Sequence, residues 1–156
     1  MQTFDKLSSN SSETHAIAKK LGNLLQKGDV VLLEGDLGAG KTTFTKGLAD
    51  GLNIKRNVNS PTFTIIKEYM GRLPLYHMDV YRVADSYEDL GLDEYFYGDG
   101  VTVVEWAQLI AEQLPEEHLT IYLHHAGDDH RKLLFKPVGV RYEVLCKELW
   151  DENSSD

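Results

Sequence analysis

Two hydrophobic periods run along this chain and divide it into elements. From Glu13 to Gln26, Ile17, Leu21, Leu24 and Leu25 recur three and four residues apart, the apolar face of a helix. Asn10 with Glu13 three residues on forms a capping-box pattern, and Ser11 and Ser12 are alternative caps. Gly28-Asp29 then turns the chain into Val30–Glu34, whose β-branched and aliphatic residues predict a buried strand. From Thr42 to Leu52, Phe44, Leu48 and Leu52 again share a helical face.

Further strands are expected at Thr62–Tyr69, Leu75–Tyr81, Val101–Trp106, Leu119–His124 and Lys132–Lys136. Helices are expected at Tyr87–Leu90, Trp106–Leu114 and Arg141–Trp150. The polar stretch His125-Ala126-Gly127-Asp128-Asp129 makes a hairpin of the last two strands. Early alternation of helix and strand predicts an α/β layer structure around a mixed sheet. No linker or repeat divides the 156 residues, so residues 1–150 are read as one domain and 151–156 as a frayed tail.

The charge balance of 16 basic against 25 acidic residues, a net −9, argues against an electrostatic grip on nucleic acid, which needs clustered Lys and Arg. Cys146 is the single cysteine, so no internal disulfide is possible. Residues Met1 to Lys20 are polar, and the longest aliphatic run, Val30-Val31-Leu32-Leu33, is far too short to span a bilayer. A reduced, soluble, cytoplasmic protein with no membrane partner is expected.

The chemistry concentrates between the first strand and the second helix. Gly35-Asp36-Leu37-Gly38-Ala39-Gly40-Lys41-Thr42 fits the P-loop pattern G-x-x-x-x-G-K-[ST] in full. Its glycines let successive N–H groups point inward at phosphate oxygens. Lys41 offers a point charge to the β and γ phosphates, the Thr42 hydroxyl can ligate magnesium, and Thr43 is placed to reach the α-phosphate. From average composition such a match arises by accident in roughly one chain of this length in 200. Here it also sits between a strand and a helix, as the motif requires.

A P-loop needs a further carboxylate on its magnesium side, usually closing an apolar strand. In Leu75-Tyr76-His77-Met78-Asp79-Val80-Tyr81, alternation puts Leu75, His77, Asp79 and Tyr81 on one side, which makes Asp79 the first candidate. Glu105, closing Val101-Thr102-Val103-Val104, is the second, able to hold the metal or position a water, and Trp106 beside it can wall the pocket. Each has a plainer reading, as a turn-capping Asp, a solvated strand end or a core tryptophan. Ser60-Pro61-Thr62-Phe63-Thr64 is a candidate switch loop in which Thr62 or Thr64 senses the γ-phosphate. His124, His125 and His130 with Asp128 and Asp129 fit no standard zinc spacing and read as a polar hairpin tip. Asp79 to Gly100 holds seven acids against Arg82 alone, a solvated face or a dock for a basic partner. Cys146 reads as buried and inert.

Together these residues resemble the TsaE (YjeE) family, small ATPases of bacterial tRNA threonylcarbamoyladenosine synthesis, and in particular members from Bacillus-like bacteria. The resemblance runs from Glu13 to Trp150 and rests on Leu33 to Thr43, Ser60 to Thr64, His77-Met78-Asp79-Val80-Tyr81-Arg82 and Val104-Glu105-Trp106. It implies a P-loop NTPase-like three-layer fold with a mixed, mainly parallel sheet and a C-terminal antiparallel hairpin. It implies ATP and magnesium, with Thr42, Asp79 and Glu105 at the metal and Lys41, Asp79 and Glu105 catalytic. Ser11 and Thr14 fall near the adenine, Arg131 falls at a basic position near the nucleotide, and Ser60 to Thr64 with Trp106 match the switch-like parts. Where the family often has Glu-Trp-Pro, this chain has Glu105-Trp106-Ala107.

The resemblance also implies the task. The partner TsaD, paired with TsaB, transfers threonylcarbamoyl to adenosine in tRNA, and the TsaE protein binds that pair and resets it by hydrolysing ATP. It meets tRNA only through the complex. Arg82 is a candidate arginine finger; otherwise the partners supply the missing stabiliser, leaving the lone protein a slow ATPase. Rival readings are an ATP-gated assembly factor that needs no turnover and a small P-loop kinase of a metabolite. A GTPase fits less well, since no Asn-Lys-x-Asp stretch is present.

Overall fold

In a computed structural model, which describes residues 3–35, 40–55, 66–79, 92–106, 114–127 and 130–154, strands β1 (Phe4–Ser8), β2 (Val30–Gly35), β3 (Ile66–Tyr69), β4 (Leu75–Asp79), β5 (Val101–Glu105), β6 (His118–His125) and β7 (Arg131–Val138) join in one sheet. Helices α1 (Ser11–Leu24), α2 (Lys41–Gly51), α3 (Leu92–Phe96) and α4 (Val140–Ser154) complete the described elements.

The strand order is β1-β7-β6-β2-β5-β4-β3. The centre, β6-β2-β5-β4, is parallel, and antiparallel pairs flank it: β6 with β7, β7 with β1, and β4 with β3. The sheet is mixed, with its parallel strands where both faces are covered. Strand alternation assigns the side chains of β2 to two layers. Val31 and Leu33 pack with Leu21 of α1, Phe44 and Leu48 of α2 and Leu145 of α4, while Val30 and Leu32 pack with Phe96 of α3, Met78 and Val104. Three layers result, as the family resemblance implies.

The start of α1 chooses among the possible caps. Asn10 is the N-cap, its Oδ1 accepting from Glu13 N–H at 2.9 Å, and the Glu13 carboxylate accepts in return from the N–H of Ser9. Helix α1 lies tightly against α2 because Gly47 has no side chain: a Cβ there would come 2.5 Å from His15 O and 2.6 Å from Ala18 Cβ. The P-loop helix is thereby clamped in place.

Several elements differ from expectation. β1 replaces a polar lead-in, pairing Phe4–Ser8 with Arg131–Phe135 of β7. Trp106, expected to open a helix, has φ of 65°, a left-handed value; the remainder of that helix up to residue 113, the helix at 87–90 and the first part of the strand at Thr62–Tyr69 lie outside the described residues. Helix α3 is an element that the pattern did not predict. α4 carries on through residues 151–154, the first part of the expected tail.

Candidate active site

In a parallel sheet the carboxyl ends of the strands face one way, and that edge collects the site. β2 ends at Gly35 and α2 begins at Lys41, so the P-loop lies off the end of the central strand. Gly35 approaches β6 so closely that a Cβ would collide with Leu123 O, a close approach that needs glycine. Gly40, with φ of 104°, is the N-cap of α2, and its carbonyl accepts from Phe44 N–H at 2.9 Å. Asp36, Leu37, Gly38 and Ala39 lie outside the described residues. Thr42 and Thr43 occupy the first turn of α2, both half-buried.

Adjacent strands supply the acids. β4 and β5 run parallel with Asp79 opposite Glu105 in register, so the two carboxylates leave the sheet side by side. Glu105 is 6% exposed, unusual for a carboxylate unless it is partnered. Its Oε1 lies 3.8 Å from Lys41 Nζ and its Oε2 lies 2.7 Å from His77 Nε2. Lys41 Nζ also stands 5.0 Å from the centroid of the Trp106 ring, within cation–π range. The structure thus unites Lys41, Glu105 and Trp106 in direct contact, with Asp79 beside them.

His77 is the participant whose role the sequence did not show. Alternation places it on the same side as Asp79, but its bond to Glu105 joins residues 28 apart on neighbouring strands, and no local pattern reports such a contact.

The remaining candidates are placed as follows. Ser11 is exposed at the first turn of α1, and Arg131 opens β7, its guanidinium bonded to His130 O. The register pair Ser8–Arg131 puts both at the same edge as the P-loop. Thr14 is 1% exposed, and its hydroxyl is taken up by Ser8 Oγ at 2.6 Å and Asn10 O, inside the protein. Ser60, Pro61, Thr62, Thr64 and Arg82 lie outside the described residues. His124 and His125 end β6 exposed, and among the described residues no three His, Cys, Asp or Glu side chains form a metal-holding group. Cys146 is buried, and burial pushes its thiol up to about 12.

A cavity of about 640 Å³ opens at the other edge of the sheet, lined by Asp29, Phe96, Tyr97, Arg141 and Tyr142 among others. Three of its polar side chains are engaged in the fold: Arg141 grips both Asp29 oxygens, at 3.1 and 2.7 Å, and the Tyr142 hydroxyl accepts from Val30 N–H.

An oxygen donor set of one hydroxyl and two carboxylates is what magnesium takes, with substrate phosphates completing its shell. Thr42, Asp79 and Glu105 fit that ion.

Known proteins share this sequence pattern and fold. The family model described as threonylcarbamoyl adenosine biosynthesis protein TsaE matches residues 8–133. A Bacillus subtilis protein named tRNA threonylcarbamoyladenosine biosynthesis protein TsaE is 67% identical over 141 residues, covering 90% of this chain and 89% of its own. A Treponema pallidum protein of the same name is 46% identical, with 81% and 96% covered. The crystal structure of Bacillus subtilis YdiB superposes with a TM-score of 0.86 at 56% identity, covering 97% of both chains. Among the described residues no helix is long and apolar enough to cross a membrane. With a family match over most of its length and a matching fold, the chain belongs to the TsaE family.

Proposed function

We propose that this protein is a magnesium-dependent ATPase of tRNA threonylcarbamoyladenosine formation, acting in the cytoplasm by binding a TsaB–TsaD pair and resetting it between turnovers. The observation that carries the reading is the convergence of the P-loop lysine and the strand-end acid: Lys41 Nζ lies 3.8 Å from Glu105 Oε1, with Asp79 in register beside Glu105. The names of the relatives support the pathway.

In this reading the amides between Gly35 and Lys41 surround the β-phosphate and Lys41 moves from Glu105 to the β and γ oxygens, offsetting charge that develops in the transition state. Thr42, Asp79 and Glu105 would hold magnesium, which would supply further positive charge to the transferred phosphoryl group. Glu105 or Asp79 orients the attacking water. The net charge of −9 suits docking on a protein better than an independent grip on tRNA.

Steady-state ATP hydrolysis with magnesium, alone and with the purified TsaB–TsaD pair, tests the proposal, with Lys41→Ala as control. Slow turnover that rises with the pair and drops at least ~100-fold in the control is the expected result. Binding of the pair with unchanged turnover would transfer the role to ATP-gated assembly. Phosphorylation of a metabolite in place of hydrolysis would mark a kinase, and neither binding nor stimulation would overturn the reading.

A further inference from the structure

Glu105 carries its charge almost out of water and holds it between two partners from different elements, Lys41 of α2 and His77 of β4. In the function proposed above, on which this inference rests, Lys41 is drawn away to phosphate. His77 is then the partner that stays. It is fully buried, fixed on a strand between β3 and β5, with Lys67 and Val103 as its register neighbours.

The imidazole also shows how it is used. Its Nε2 lies 2.7 Å from Glu105 Oε2, while Nδ1 is buried without a hydrogen-bond partner among the described residues. A buried N–H with no acceptor forfeits its hydration, whereas an N–H facing a carboxylate makes a charge-assisted bond. The bonding pattern therefore assigns the proton to Nε2. The terminal torsion of a glutamate is broad and intrinsically two-fold, so nothing in Glu105 itself fixes the plane of its carboxylate. A donor anchored in the sheet does, by pinning Oε2 and leaving Oε1 turned toward Lys41.

We infer that His77 is a positioning residue for Glu105, holding Oε2 through Nε2–H so that Oε1 keeps its aim at the magnesium and the attacking water when Lys41 leaves it. Outer partners of this kind change activity or metal affinity by about 10–100-fold when removed.

Three variants separate donation from packing. His77→Leu removes the donor, His77→Asn keeps a polar amide that stops short of Glu105, and His77→Gln places its amide nitrogen where Nε2 stood. With folding checked by thermal melting, Leu and Asn are expected to lower kcat about 10–100-fold with little change in KM for ATP, and Gln to recover most of the loss. Affinity for a fluorescent ADP analogue is expected to hold without magnesium and to lose its magnesium enhancement in Leu and Asn. In a Glu105→Gln background, His77→Leu is expected to cost nothing more, because the two residues act as a unit. Nitrogen NMR of the metal-free protein is expected to show the proton on Nε2.

Wild-type kcat in both Leu and Asn, a Gln variant as impaired as Leu, an additive loss in the Glu105→Gln background, or a ring with no proton on Nε2 would each overturn the inference. Should Leu fail to fold, the Asn and Gln comparison decides. Failure of the ATPase reading itself looks different: wild type would then match Lys41→Ala, whereas failure of this inference leaves that contrast intact.

Discussion

The Lys41 ammonium rests 5.0 Å from the centroid of the Trp106 ring, so the one cation of the P-loop is shared between an aromatic face and a carboxylate. Such a contact at a part-exposed tryptophan is worth about 0.5–1 kcal/mol, little beside a charge-assisted bond to phosphate. Nucleotide should therefore pull Lys41 off the ring. Intrinsic fluorescence is expected to change on adding ATP in wild type and in Trp150→Phe, and to stay flat in Trp106→Phe. A response that survives the loss of Trp106 would mean that the ring does not sense Lys41.

Thr14 and Asn10 serve the fold. Asn10→Ala removes the side-chain cap of α1 and is expected to cost about 1 kcal/mol in urea unfolding. Thr14→Ala removes a buried bond to Ser8 Oγ, which keeps its own bond to Asn10 O, and is expected to cost about 0.5–1.5 kcal/mol. ATP affinity is expected to be unchanged in Thr14→Ala; a fall of tenfold or more would return this residue to the adenine side.

Gly47 is a case of two opposed effects. Alanine is the better helix former by about 1 kcal/mol, but its Cβ would press on the backbone carbonyl of His15, which cannot swing aside as a flexible side chain can. Overpacking costs about 1–3 kcal/mol. With clashes at 2.5 and 2.6 Å the overpacking side wins, and Gly47→Ala is expected to lower stability by up to about 2 kcal/mol, measured by urea midpoint; an unchanged midpoint would show that α1 yields.

Particular residues show why some of this was legible in the sequence. The P-loop could be read because its chemistry belongs to the local backbone: glycines, one lysine and one hydroxyl within eight positions. Ile17, Leu21, Phe44 and Leu48 declared their helices because burial follows the helical period. β1 could not be read: its burial alternates, but the inner side carries Phe4, Lys6 and Ser8 while Leu7 faces out at 61% exposure, so the residue types follow neither period. It is a strand because β7 offers an edge to pair with. The His77–Glu105 bond likewise follows from strand registry, a relation between distant segments.

At the opposite edge, Arg141 forms two bonds to Asp29 and a third, at 3.2 Å, to Leu24 O, tying α4 to the end of α1 and the start of β2. Asp29 is 4% exposed, so loss of its cation leaves a carboxylate poorly hydrated. Arg141→Met keeps the apolar stem and is expected to cost about 1.5–3 kcal/mol, the worth of bonds to a charged group. Its kcat is expected to match wild type, because this pair lies at the far edge of the sheet from Lys41; a large drop in kcat at full folding would show that the two edges communicate.

The alkaline limit of stability follows from two other buried groups. Burial pushes the Tyr142 hydroxyl from its ordinary 10.0 up to about 12, and the Cys146 thiol from 9.0 up to about 12. Both are neutral acids when protonated, so between the two sets of values the unfolded chain has released protons that the folded chain still holds. The unfolded state then binds fewer protons, and stability falls as pH rises. The decline begins near pH 9 with the thiol, steepens near pH 10 with the phenol, and levels off near pH 12 once both groups ionise in the folded chain too. Cys146→Ala opens a small void and is expected to be less stable at pH 7, yet to lose less between pH 9 and 10, where in wild type the thiol is the group released first. Tyr142→Phe deprives Val30 N–H of its acceptor, at about 1–3 kcal/mol, and is expected to flatten the curve only above pH 10. Urea midpoints taken at half-unit steps from pH 7 to 11 give all three curves, and the variants share the lysines of wild type, so differences between curves isolate the mutated group. Parallel curves for wild type and Cys146→Ala between pH 9 and 10 would show that the thiol reaches water in the folded protein.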